Sequence, residues 1–212
     1  MLNPTPCRSK AFRLFFCLAA CWSLTASAET SVWGGRPALG LALERETSSD
    51  KSQIADTLTI SPGLRFTNGG VNRIDVLIQT ERDTDNSSGK DTFTRFNGLA
   101  VRVRKDLALV DKLDMYFTGL AGRTQGNDTH FWYGYSEAGF MARLGGLNFS
   151  LGTRVHRSLD GNTDQNFNKL LVGPGFVLGD QHELDLRWMR SWRADGNAFD
   201  SDAVKLEYIY KF

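Results

Sequence analysis

Apolar side chains recur at every second position along most of this chain, and that period dictates what it can become. Period two puts successive side chains on opposite faces of an extended strand, whereas a helix face needs a repeat near 3.6. Over 37–46, Leu39, Leu41 and Leu43 share one face, with Gly40, Ala42 and Glu44 on the other. Over 57–67, Leu58, Ile60, Pro62, Leu64 and Phe66 alternate with Thr57, Thr59, Ser61, Gly63, Arg65 and Thr67. The pattern returns over 72–82 (Ile74, Val76, Ile78), 94–104 (Leu99, Val101, Val103), 113–123 (Leu113, Met115, Phe117) and 132–144 (Ala138, Phe140, Ala142, Leu144). It continues over 147–157 (Leu147, Phe149, Leu151, Val155), 169–179 (Leu170, Val172, Phe176, Leu178), 183–193 (Leu184, Leu186, Trp188, Trp192) and 203–212. The count is ten strands of about 10–12 residues, the length a tilted strand needs to cross a bilayer. A mis-split hairpin would change it to eight or twelve, with the first and fifth strands the least defined.

The connections sort by parity. After strands two, four, six and eight they are short (Asn68–Gly70, Asp106–Lys112, Gly145–Gly146, Gly179–His182). After the odd strands they are longer and polar, over 47–56, 83–92, 124–130, 158–167 and 194–202. Short turns at one end and longer loops at the other are the asymmetry of outer-membrane barrels. A soluble sandwich would also alternate, but it gives no reason for aromatics to gather near strand ends, as Phe66, Phe93, Trp132, Tyr133, Trp192, Tyr210 and Phe212 do. The fold class expected is therefore all-β: a transmembrane antiparallel up-and-down β-barrel over 29–212.

The front of the chain reads differently. Arg8, Lys10 and Arg13 precede an apolar run, Leu14–Leu24, and the small-x-small pattern Ala26-Ser27-Ala28 follows. That is the layout of a cleaved signal peptide over 1–28. The run is about half the roughly 20 residues a membrane helix requires. All three cysteines, Cys7, Cys17 and Cys21, lie within 1–28, so the expected mature chain has no disulfide and no thiol chemistry. Leu18-Ala19-Ala20-Cys21 resembles a lipoprotein box, which would place a lipid on Cys21. Without the three basic residues of the leader, 22 of the 25 Lys and Arg face 24 Asp and Glu. A nearly neutral chain with no basic block is not a nucleic-acid binder.

The last strand carries the one family motif. Val204, Leu206, Tyr208, Tyr210 and Phe212 resemble the C-terminal signal of Gram-negative outer-membrane barrels, with Leu206, Tyr208, Tyr210 and Phe212 as the assembly signal. The resemblance implies insertion by the barrel-assembly machinery, location in the cell outer membrane, and lipid and lipopolysaccharide as surroundings. The protein is expected to be a monomer without cofactor or metal.

Alternation assigns the charged residues to the interior: Glu44, Arg65, Arg73, Asp75, Arg102, Arg104, Asp114, Glu137, Arg143, Arg154, His156, Glu183, Asp185, Arg187, Lys205, Glu207 and Lys211. In a narrow lumen, opposite charges pair. Two readings follow: an ion-pair network that fills a structural barrel, or a narrow channel whose arginines select small anions. The candidate lining is Arg65, Arg73, Arg102, Arg104, Arg143, Arg154 and Arg187, with Asp75, Glu137 and Asp185. The arginine excess is loosely similar to the arginine tracks of small sugar-acid porins such as the oligogalacturonate channels, which have twelve strands. A third reading is a surface-interaction barrel acting through its loops. An internal repeat accompanies the lumen residues. Pro62-Gly63-Leu64 leads through a turn to Ile74-Asp75-Val76, and Pro174-Gly175-Phe176 leads to Leu184-Asp185-Leu186. Gly63, Gly98, Gly139 and Gly175 all fall on the polar face, where a missing side chain relieves crowding.

Catalytic candidates are few. His156 and Ser158 lie two apart, similar to the His-x-Ser of outer-membrane lipid A 3-O-deacylases. The acid that family carries later falls on Leu170 here; the nearest acids are Asp160 and Asp164. Omptin-type proteases have ten strands but build their site on longer loops, and only His130 beside Asp128 invites the comparison. The loop stretches 83–90 and 160–164 alternate Asp and Asn as calcium loops do, without the spaced terminal Glu.

Overall fold

The structure is a computed structural model describing residues 34–67, 70–85, 92–126, 130–161, 166–196 and 198–212. The segment 1–28 assigned as a signal peptide, Cys21 included, lies outside the described residues, as do His130's neighbour Asp128 and much of both calcium-like stretches. Ten antiparallel strands close into one barrel: β1 (Arg36–Ser48), β2 (Gln53–Arg65), β3 (Arg73–Asp85), β4 (Thr92–Val110), β5 (Leu113–Gln125), β6 (His130–Leu144), β7 (Leu147–Ser158), β8 (Phe167–Leu178), β9 (His182–Arg193) and β10 (Phe199–Lys211). Each strand pairs with its sequence neighbours, and β10 returns to β1 through Ala38↔Lys211 to Ser48↔Ser201. Closure satisfies every ladder and leaves no edge, as a lipid surround demands.

The apolar face expected from the alternation is the outer one. Leu43, Ile78, Leu99, Val101, Phe140, Leu151 and Val204 stand exposed on it, Leu99 at 58%. Such a belt in water would be an aggregation surface; against acyl chains it is the solvated face. Near the described chain ends, His182, Tyr208, Tyr210 and Phe212 form an aromatic run on this face. The rings of Tyr210 and Phe212 meet edge-on at 4.9 Å, and His182 Nδ1 lies 2.7 Å from Tyr208 Oη. Phe212 N–H donates to the Pro37 carbonyl at 2.9 Å, which ties the last residue to the start of β1.

Strands reach further into the loops than the sequence reading placed them. The first loop is 49–52 rather than 47–56, the fifth is 194–198 rather than 194–202, and β4 runs to Val110 rather than 104. Polar residues continue the alternation there without an apolar partner to mark it, so period alone stops too early. The 49–52 loop is held by Asp50, whose carboxylate accepts Ser48 Oγ (2.6 Å), Ser52 N (3.0 Å) and Ser52 Oγ (2.7 Å). Those donors favour the ionised form and hold its pKa down at about 2.

Candidate functional site: the barrel interior

The interior is organised by a buried carboxylate. Asp75 on β3 is 0% exposed and receives three guanidinium groups. Arg65 Nη1 donates to Oδ1 at 2.7 Å, Arg102 Nε donates to Oδ2 at 3.0 Å, and Arg73 Nε also donates to Oδ2. Glu207 of β10 closes the cluster from across the lumen: its Oε1 accepts Arg73 Nη2 at 2.6 Å and Arg102 Nη2 at 2.9 Å. Four strands, β2, β3, β4 and β10, are thereby joined through side chains towards the turn end of β2 and β3. Buried ion pairs hold only when geometry is good and hydrogen bonds are plentiful; Arg73 and Arg102 each bond both carboxylates, while Arg65 bonds Asp75 through Nη1 and leaves Nε and Nη2 without a partner among the described residues.

A second cluster occupies the other wall. Glu137 on β6 accepts Arg154 Nε and Nη2 through Oε2, at 2.9 and 2.6 Å, and Arg187 Nη1 through Oε1 at 3.2 Å. The Arg154 guanidinium lies 4.1 Å over the Tyr135 ring. Arg104 donates to Asp106 at 2.7 Å and sits 4.5 Å over the ring of Tyr116, which is fully buried. Asp185 is held loosely, 4.0 Å from Arg187 Nη2. Arg143 pairs with Asp114 at the turn end, with its side chain 54% exposed. Lys211 pairs with Glu183 at 3.0 Å, and Lys205 approaches Glu44 at 4.0 Å.

Glycines make this filling possible. Gly63 pairs in register with Asp75, and a Cβ there would collide with Asp75 Oδ1 and the Ile74 carbonyl. Gly139 and Gly152 face each other across β6 and β7, and either Cβ would run into Tyr116 Oη. The missing side chains are the space into which a carboxylate and a phenol reach.

Alternation alone did not reveal that the interior is partly apolar. One layer nearer the loops, Leu77, Ala100, Leu120 and Tyr133 pack together on one wall, and Leu171, Met189 and Ala203 on another. Leu120, Leu171 and Met189 break the expected polar-in pattern, since a lumen narrow enough to fill can be filled with either chemistry. The pair Lys169–Glu46 at 3.1 Å joins the interior set as well: both are terminal residues of the strands expected over 37–46 and 169–179, beyond the apolar residues that marked the two faces. Glu46 shares the parity of Glu44 within that range, which was the signal that could have found it.

The catalytic candidates His156 and Ser158 both make packing or turn contacts. His156 faces inward, its ring stacked on Tyr133 at 5.3 Å and tilted against Phe167 at 6.0 Å. Ser158 Oγ accepts the backbone N–H of Asp160 at 3.3 Å, a turn contact at the end of β7. Leu170, where the deacylase acid would stand, pairs with Thr153 on the outer face, so it lies on the opposite side of the wall from His156. Among the described residues there is no cluster of three or more metal-ligating His, Cys, Asp or Glu side chains.

No protein-family model matches the chain, and no characterised protein matches it in sequence. Among solved structures it is similar to an outer-membrane channel from Pseudomonas putida F1, with a TM-score of 0.53 at 9% identity over 90% of this chain and 100% of that one. It is also similar to the β domain of the Bordetella autotransporter BrkA, with a TM-score of 0.49 at 13% identity over 84% of this chain and 100% of that one. At these identities the likeness is one of fold: the chain is built as outer-membrane β-barrels are.

Proposed function

We propose that this protein is an outer-membrane barrel kept shut on its turn side by its own ion pairs, acting as a structural or surface-interaction barrel rather than as a standing pore. The observation that carries the reading is Asp75: fully buried, with three guanidiniums on it and Glu207 reaching two of them from β10. Arginines bonded to carboxylates on the same cross-section do not offer free charge to a passing anion. The apolar layer of Leu77, Leu120 and Tyr133 adds a second constriction on the loop side. Leu206, Tyr208, Tyr210 and Phe212 serve assembly by the insertion machinery, and the loops meet the lipopolysaccharide surface. The hydrolase reading is disfavoured by the packing of His156, stacked on Tyr133 and tilted against Phe167.

A second reading, a narrow anion channel, is favoured by one observation: the Asp75 cluster sets three guanidiniums against two carboxylates. Single-channel recording of the refolded protein in planar bilayers, with reversal potentials in a salt gradient, separates the two. The closed barrel is silent, while Glu207→Gln, which removes the cross-lumen tie, gives intermittent steps. Discrete wild-type steps with anion preference, reversed by Arg102→Glu, would overturn the closed reading.

A further inference from the structure

The outer wall is not uniformly convex. A groove of about 780 Å³ runs along the lipid-facing side of β4, β5 and β6 towards the loop end. Its floor follows from side-chain size. Many outward positions carry Leu, Val, Ile or Phe, but here Val101 pairs with Ala121 and Ala121 with Gly134, while Gly119 pairs with Ser136. The trough is apolar and flanked by Leu99 and Val101.

Its upper end is polar and cationic. Arg123 stands between Leu99 and Trp132 in register, with its guanidinium 5.8 Å from the Trp132 ring centre. Arg95, Asn97 and Gln125 complete the head of the groove. Arg82 lies directly across the ladder from Arg95. Outward arginines on the other side of the barrel are neutralised: Arg45 bonds Asp56 at 2.6 Å and Arg190 bonds Asp202 at 2.9 Å. Among the described residues, Arg95 and Arg123 have no such carboxylate. The carboxylate of Asp160, which reaches this neighbourhood, accepts the backbone N–H of Trp132 at 2.6 Å.

An apolar trough below, two guanidiniums above with no carboxylate partner among the described residues, and an indole between them match one kind of molecule lying against the wall. We infer that this groove holds a phosphorylated glycolipid of the outer leaflet, one acyl chain in the Ala121 trough and a phosphate on Arg95 and Arg123. Guanidinium groups take phosphate oxygens in paired hydrogen bonds, and an indole sits at the headgroup level of a bilayer. The loop end of such a barrel faces outwards, which puts the groove in the leaflet that carries these lipids. The inference stands whether or not the lumen conducts.

Native mass spectrometry of the folded protein in non-ionic detergent tests it, with added bisphosphorylated lipid A, the same lipid without its phosphates, and phosphatidylglycerol. One lipid A retained per barrel is expected, with at least a tenfold loss on dephosphorylation and in the Arg95→Gln/Arg123→Gln variant. Ala121→Phe fills the trough from outside, so it should lose the lipid while folding normally; it decides the matter if the double variant does not fold. Equal retention of the dephosphorylated lipid, of phosphatidylglycerol, or by Ala121→Phe would overturn the inference. So would a dimer occupying the groove in place of lipid.

Discussion

The hairpins β2–β3 and β8–β9 begin from the same local text and end in different chemistry. Each carries Pro-Gly followed across the turn by an Asp flanked by apolar residues. Each places its Gly opposite its Asp, Gly63↔Asp75 and Gly175↔Asp185, and each ladder skips the stretch at its proline, which has no N–H to donate. A Cβ on either glycine would strike the facing carboxylate. Yet Asp75 is fully buried under three guanidiniums, while Asp185 has a single loose contact at 4.0 Å.

The neighbours account for it. Arg65 stands two residues after Gly63, where Val177 follows Gly175; Arg73 precedes Asp75, where Glu183 precedes Asp185. On the next strand Arg102 pairs with Asp75, whereas Glu207 pairs with Asp185. Every position that supplies a cation to the first aspartate supplies a neutral or acidic side chain to the second. A hairpin motif thus sets where a carboxylate points, and the flanking strands decide whether it becomes a keystone.

Asp75→Ala should break the contrast most severely. It leaves Arg65 without its carboxylate and Arg73 and Arg102 sharing Glu207 alone, and should cost roughly 3–5 kcal/mol in urea titrations of the barrel in lipid vesicles. Asp185→Ala, followed by the same tryptophan-fluorescence titration, should cost less than about 1 kcal/mol, as exposed or loose pairs do. Glu207→Gln comes next: charge-assisted bonds to Arg73 and Arg102 weaken, for a loss of about 1.5–3 kcal/mol. Gly63→Ala should cost about 1–3 kcal/mol by overpacking a carboxylate locked on all sides. Gly175→Ala should be milder, because the looser Asp185 can swing aside; equal losses for the two glycines would mean that backbone, not the carboxylate, sets the crowding. The smallest effect is expected from Val177→Arg, which gives Asp185 the guanidinium that Arg65 gives Asp75. It should raise the urea midpoint by up to about 1 kcal/mol in stability. A loss instead would show that position without burial is not enough.

The strand count, the outer apolar belt and the inward set of charges were legible because a sheet repeats every two residues and a closed barrel offers only two environments. Strand ends were less legible: at Glu46 and Lys169 the alternation runs on in polar residues, and no hydropathy step marks where pairing stops. His156 and Ser158 look like a catalytic spacing in the sequence, but the facing strand supplies Tyr133 and Phe167 as packing partners.

Alternation in this chain determined a ten-stranded sheet with one lipid face, and it determined that Arg65, Arg73, Asp75, Arg102 and Glu207 all turn inwards. Only closure decided which of them meet. Arg73 and Glu207 are 134 residues apart in the chain, and they become partners because β10 pairs with β1 and curvature brings the inner faces of β3 and β10 within a side chain's reach. Local period depends on backbone geometry that each residue carries with it. Pairing across a lumen depends on strand number and barrel diameter, properties of the whole sheet that no short stretch of sequence contains.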